Sequence, residues 1–195
     1  MINIAIFASG GGSNASAICA YFENHPKILV STIITNKANA GVIEVARKFN
    51  VTCHVIRKKD LHDGSLITFL ENQNINFIIL AGFLLLLPST FVRKFENRIL
   101  NIHPSLLPAY GGEGMYGHFV HEAVHKNKEK ISGMTVHLVN EKYDDGRIIF
   151  QAECPLDVND KPAQIAEKVL KLEHTYYSQT IENYINSFNS KGKTN

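Results

Sequence analysis

Asn101 and His103 close an apolar run that reads as a strand over Arg98–Ile102, and Pro104 follows them. Residues two apart on a strand share a side, so the Asn101 amide and the His103 imidazole face one crevice. In open α/β sheets, ligands bind beyond that end of the strands. An amide donor beside an imidazole suits the stabilisation of a developing oxyanion, and a neighbouring carboxylate would hold the imidazole charged. Asp144, in the turn sequence Asp144-Asp145-Gly146, is the carboxylate that context places best. The same residues also read as a strand end with satisfied polar groups and an ordinary turn. Residue types alone leave both readings open.

A second constellation lies near the N terminus. Gly10-Gly11-Gly12-Ser13-Asn14 separates an apolar strand over residues 2–8 from a helical pattern over Ala15–Phe22. Glycines let backbone N–H groups approach an anion, and a helix N terminus adds a positive dipole end. No Gly-Lys-Ser/Thr follows, so the loop is not a Walker A. Ala15 stands where a dinucleotide fingerprint has its third glycine. A tight turn with Ser13 or Asn14 as N-cap is the alternative.

These groups need elements to position them. Strand patterns at Ile28–Thr35, Val51–Ile56 and Phe77–Ala81 alternate with helix patterns at Gly41–Phe49, Ser65–Leu70 and Pro88–Phe95. Such alternation predicts a mostly parallel, open twisted sheet in three layers, Rossmann-like, with helices on both faces. Farther on, Pro104–Tyr116 is a loop and His118–Asn127 a helix. Gly133–Val139 and Arg147–Glu153 form an antiparallel hairpin, and Lys161–Tyr184 is a long helix. The expectation is an α/β fold with one domain over residues 1–187 and a polar, fraying tail over 188–195.

Composition narrows the function. The chain has 195 residues with 20 Lys+Arg against 18 Asp+Glu, so no basic surplus marks a nucleic-acid binder. The longest apolar stretch, Phe77–Pro88, is broken by Gly82 and is too short for a membrane helix. The N terminus has no basic region of a signal peptide. Cys19, Cys53 and Cys154 are scattered and odd in number, which suits small core residues in a reducing cytoplasm. His118, His121 and His125 share a helix face, but only Glu122 accompanies them, so solvated or interface histidines are expected and no metal. The Arg57-Lys58-Lys59 run reads as a solvated loop. His137 alternates with Thr135 on a strand and is expected to buttress His103 from the same interior.

Several segments occur together in order: Ser9-Gly10-Gly11-Gly12-Ser13-Asn14, Leu80-Ala81-Gly82-Phe83, Asn101-Ile102-His103-Pro104-Ser105-Leu106-Leu107-Pro108, Tyr143-Asp144-Asp145-Gly146 and Leu172-Glu173-His174. In this the chain resembles the phosphoribosylglycinamide formyltransferase family over about residues 1 to 185. The resemblance implies formyl transfer from 10-formyltetrahydrofolate, as co-substrate and without a metal, to the amine of glycinamide ribonucleotide in de novo purine biosynthesis. It implies Asn101, His103 and Asp144 as the catalytic trio. Gly11, Gly12, Ser13 and Asn14 would cradle the phosphate, and Glu173 the ribose hydroxyls. Leu84, Leu85, Leu86 and Leu87, with Asn140 and Tyr143, would line the folate pocket. Thr135 and His137 stand behind the trio.

The chain departs from the family pattern in three places. A triple glycine replaces Gly-Asn-Gly, Leu84-Leu85-Leu86 stands where Met-Arg-Ile is common, and Tyr110–Gly117 differs enough that no site residue is drawn from it. Two alternatives share the core: a formyltetrahydrofolate deformylase-like hydrolase, and an inactive nucleotide-binding module. The deformylases add an N-terminal domain and the tRNA formyltransferases a basic C-terminal one, and neither is expected here. Small-molecule substrates, no nucleic acid, no membrane, and a monomer or homodimer complete the expectation.

Overall fold

The strand β1 (Ile2–Phe7) buries Ile4, Ala5, Ile6 and Phe7 completely. Successive strand side chains point to opposite faces, so an unbroken buried run requires cover on both. The computed structural model describes residues 1–191. After β1 come α1 (Ser13–Phe22), β2 (Ile28–Thr35), α2 (Val42–Lys48), β3 (Thr52–Val55), α3 (Ser65–Asn72), β4 (Ile75–Leu80), α4 (Ser89–Lys94) and β5 (Ile99–His103). Then follow α5 (His118–Lys126), β6 (Ile131–Leu138), β7 (Ile148–Pro155) and α6 (Pro162–Lys191). The strands run in the order β3-β2-β1-β4-β5-β6-β7. The α/β class, the parallel β1–β5 region and the β6–β7 hairpin agree with the sequence reading.

The chain forms two compact units. The first comprises Met1–Asn101 and Leu138–Tyr143. Its strand order turns back between β1 and β4, because the chain winds outward through β2 and β3 before returning. Right-handed crossovers then place α1 and α2 on one face and α3 and α4 on the other. Phe7 and Leu80 pack with Leu66 and Leu70 of α3 and Phe91 and Val92 of α4. The Phe91 ring lies 6.1 Å from Phe7 and 5.2 Å from Phe95. Alternation turns Ile4 and Ile6 toward α1 and α2. The reversal opens a crevice beyond the carboxyl ends of β1 and β4, where the glycine loop and the Leu84–Leu87 segment begin.

The second unit comprises residues 102–137 and those from Asp144 onward. Here β6 and β7 pair antiparallel, with Ser132 opposite Cys154 and Thr135 opposite Gln151. α6 packs against β7 and α5. Its buried stripe is Tyr177, Ile181 and Ile185, spaced four apart. That stripe explains one difference from the sequence reading. The polar residues 188–195 read as a fraying tail, yet α6 runs on to Lys191, with Ile185 fully buried and the Phe188 ring 6.1 Å from Tyr184. The rest of the expected tail, 192–195, lies outside the described residues. The Arg57–Lys59 run also differs. It enters a 3₁₀ turn over Lys58–Leu61, with the Arg57 N–H donating to Asp60 Oδ2 at 2.7 Å.

Among the described residues no helix is long and apolar enough to cross a membrane. Phe91 is a sensitive test of the first unit's core. Phe91→Ala should cost about 3–5 kcal/mol through lost burial and a residual cavity. Leu29→Ala, at a side chain 47% exposed, should stay within about 0.5 kcal/mol. Urea unfolding of both variants checks the contrast.

Candidate active site

The His103 imidazole ends β5, in the second unit. His103 is buried, with 4% of its surface exposed. Its Nδ1 lies 3.5 Å from Asp144 Oδ2, and the other carboxylate oxygen lies 3.5 Å from His137 Nε2. The Gly112 N–H donates to Asp144 Oδ2 at 3.0 Å. One carboxylate is therefore shared by two imidazoles and a backbone amide.

The opposite side of the His103 ring decides its protonation. Nε2 lies 2.7 Å from the Tyr110 carbonyl oxygen, which only accepts. Nε2 therefore carries a proton. A neutral imidazole has one N–H, so Nδ1 is then bare and faces Asp144. Burial lowers the His103 pKa below its ordinary 6.5, outweighing the upward pull of Asp144 and the Tyr110 carbonyl, and His137 adds to the lowering. The sequence reading expected Asp144 to keep this imidazole charged. Desolvation opposes that pull, and the net shift is downward.

Asp144 meets the same competition with the opposite result. Burial pushes its carboxyl up, but the His137 hydrogen bond, the His103 charge and the Gly112 N–H together pull it below 3.8. Its backbone is left-handed, with φ 49°. Aspartate tolerates that region better than most residues. Gly112, at φ 97°, presents its N–H to the carboxylate from a conformation that glycine adopts without strain.

Thr135 sits deeper. Its hydroxyl donates to the Ser105 carbonyl at 2.6 Å and accepts from the Leu107 N–H at 3.0 Å and the Gln151 amide at 2.9 Å. It therefore shapes the Pro104–Pro108 loop and does not reach His103. His137 likewise acts on Asp144. Asn101 is half-buried on β5, two residues before His103, and pairs in register with Leu80.

In the first unit, Gly12 takes φ 81° as the N-cap of α1, and no side chain caps that helix. Ser13 and Asn14 are thus not the N-cap, as the alternative turn reading had it. A Cβ on Gly12 would lie 2.9 Å from Val42, so glycine is required there, while Gly11 faces open space. Ser9, buried just before the loop, is a hub that the sequence reading passed over. Its hydroxyl donates to Asn36 Oδ1 at 2.6 Å and accepts from the Leu84 N–H at 2.9 Å. Its own N–H donates to the Gly82 carbonyl. One small polar residue between an apolar run and a glycine run was its sequence signal.

The remaining residues are placed as follows. Leu84 and Leu86 are exposed, whereas Leu87 is buried and Leu85 packs on the α3–α4 core. Asn140 Oδ1 accepts from the Lys142 N–H, and Tyr143 is exposed. Glu173 is buried on α6, one turn before Tyr177. The three helix histidines separate: His118 is exposed, His125 half-buried, and His121 buried with no partner for Nδ1. Among the described residues no cluster of His, Cys, Asp and Glu could hold a metal ion.

A doubly wound sheet carrying a buried imidazole–carboxylate–imidazole array beyond β5 defines an α/β protein equipped for proton transfer. A model of the formyl transferase family matches residues 2–181, and the chain belongs to that family. It is 40% identical over 187 residues to the chloroplastic phosphoribosylglycinamide formyltransferase of Arabidopsis thaliana, covering 91% of this chain and 63% of the relative. It is 33% identical over 186 residues to phosphoribosylglycinamide formyltransferase of Escherichia coli, covering 92% and 85%. The crystal structure of phosphoribosylglycinamide formyltransferase from Anaplasma phagocytophilum superposes with a TM-score of 0.85 at 31% identity, covering 93% of this chain and 85% of that one. The chain spans less than two thirds of the length of the two plant relatives, 63% and 59%.

The buried histidines make a pH prediction. Burial, with the nearby His103 and His118 charges, pushes His121 down to about 4. Both His103 and His121 thus titrate lower folded than unfolded, so below the ordinary 6.5 the unfolded chain binds more protons. Stability should fall as pH drops from 6.5 toward 4, with His121 alone contributing about 3 kcal/mol. Urea midpoints measured across that window should decline, and His121→Gln should flatten the slope.

Proposed function

We propose that this chain transfers a formyl group from 10-formyltetrahydrofolate to the amine of glycinamide ribonucleotide, a step of de novo purine biosynthesis. Its plant, E. coli and Anaplasma relatives are named phosphoribosylglycinamide formyltransferases, which supports this reading. The observation that carries the reading is the His103–Asp144 pair within the family match, with Nδ1 3.5 Å from the carboxylate.

The amine nitrogen attacks the formyl carbon, and the carbonyl π pair moves to oxygen. His103 Nδ1 takes the proton that the nitrogen sheds. The new imidazolium is stabilised by Asp144, and the Asn101 amide donates to the oxyanion. Each such donor typically lowers a barrier by about 3–4 kcal/mol. When the intermediate collapses, the C–N bond to the folate breaks and its nitrogen receives the proton from Nδ1. Protons and electron pairs balance, and no metal takes part.

The other roles follow the family resemblance. The backbone of Gly11, Gly12, Ser13 and Asn14 binds the substrate phosphate, supported by a helix end that no side chain caps. Glu173 holds the ribose hydroxyls. The segment Leu84, Leu85, Leu86 and Leu87, with Asn140 and Tyr143, borders the folate. Leu84 and Leu86 supply apolar surface, and their exposure supports this role. Residues 1–187 work as one formyl-transferring domain on small molecules, without nucleic acid, as a monomer or homodimer. The free thiols of Cys19, Cys53 and Cys154 suit a reducing compartment such as the cytoplasm.

Asp144→Asn tests the reading with little cost to the fold, because asparagine also tolerates φ 49°. Its kcat should fall by about 10²–10⁴ with KM for both substrates little changed. Near wild-type turnover in this variant would sink the assignment. Folate release without an amine acceptor would instead identify a deformylase-like hydrolase.

A further inference from the structure

The loop that departs from the family pattern holds the least comfortable backbone at the site. Tyr110 has φ 56°, a region that bulky side chains avoid unless their surroundings hold them there. Its phenol is tethered at the far end. The hydroxyl donates to Glu129 Oε1 at 2.6 Å and accepts from Asn127 Nδ2 at 2.8 Å. Both partners belong to the turn that ends α5, whose backbone is closed by Asn127 N–H to Ala123 O and Glu129 N–H to Val124 O. At the near end, the Tyr110 carbonyl accepts from His103 Nε2–H at 2.7 Å. Two residues on, Gly112 binds the carboxylate that His103 faces.

We propose that Tyr110 is a positioning residue that selects the tautomer of His103: its carbonyl keeps the proton on Nε2, and its anchored hydroxyl keeps that carbonyl in place. The reason is a matter of which lone pair is left. A neutral imidazole without this acceptor gains by turning its proton toward the Asp144 carboxylate, on Nδ1. Nδ1 then no longer accepts, and the nitrogen left basic is Nε2. A fixed carbonyl on Nε2 removes that option without adding a charge. The backbone supplies the acceptor, so the side chain's contribution is to hold an unfavourable φ. A phenol secured by two hydrogen bonds does this, and a phenyl ring of the same shape does not.

The tautomer part of this inference stands on the geometry around a ring whose charged form burial disfavours, while its kinetic part rests on the formyl-transfer reading. The test therefore uses two readouts on the full chain. Nitrogen-15 NMR of the imidazoles should show His103 as a single Nε2–H tautomer in the wild type at neutral pH. In Tyr110→Phe the signals should move toward a mixture of tautomers, and kcat should fall about tenfold with KM for glycinamide ribonucleotide and formyl donor within about twofold. Glu129→Gln keeps an acceptor for the hydroxyl and should match the wild type. Glu129→Ala, on the surface and away from the core, should shift the tautomer signals in the same direction as Tyr110→Phe. A pure Nε2–H tautomer in both Tyr110→Phe and Glu129→Ala overturns the proposal. A tautomer shift in a chain without formyl-transfer activity upholds it and overturns the functional reading instead.

Discussion

The second unit is organised around one constraint: a carboxylate removed from water must stay charged. Taking a carboxylate out of water costs several kcal/mol even after relaxation, unless its lone pairs are answered. Asp144 accepts from the Gly112 N–H and from His137, and His103 Nδ1 stands 3.5 Å from it. Each partner imposes a requirement on a different piece of chain. His103 needs β5 to end at the right register, His137 needs β6 to bury its side chain, and Gly112 needs a left-handed loop. Asp144 itself needs a turn with positive φ. The strand end, the hairpin connection and the loop are shaped together because a single charge would otherwise be stranded.

The same burial sets the chemistry of the imidazole. Coulomb attraction from Asp144 favours the charged ring, and desolvation opposes it; in this site desolvation is the larger. A neutral His103 with its proton on Nε2 can accept a proton on Nδ1 and then be stabilised by the adjacent carboxylate. The proposed transfer to an amine uses that order of events. An imidazolium at rest would have no lone pair to offer.

The first unit meets a different requirement, a helix end left open to the phosphate of the proposed substrate. The β1–β4 reversal opens a crevice, and Ser9 ties the loops after β1, β2 and β4 to one another through Gly82, Asn36 and Leu84. Gly12 then turns the chain into α1 with no side chain over the helix end. Rigidity comes from the buried hydroxyl, and access comes from the glycines.

Much of this was legible in the residues. Alternating strand and helix patterns place the parallel sheet, because period-2 and period-3.6 burial are local properties of a sequence. Asn101 and His103 could be paired on one side of a strand for the same reason, and the family resemblance singled out Asp144. The end of α6 was misread, because its stabilising contacts are made by Ile185 and Phe188 while its composition is polar. Ser9, Tyr110 and Gly112 were passed over because their roles are long-range. Tyr110 reaches residues at the end of α5, and Gly112 reaches Asp144 across 32 positions. The sequence by itself determined which side chains were available and which strands would carry them. Only the tertiary structure decided the protonation of His103, because that depends on how far water is excluded and which carbonyl meets Nε2, and neither is a property of any local stretch of chain.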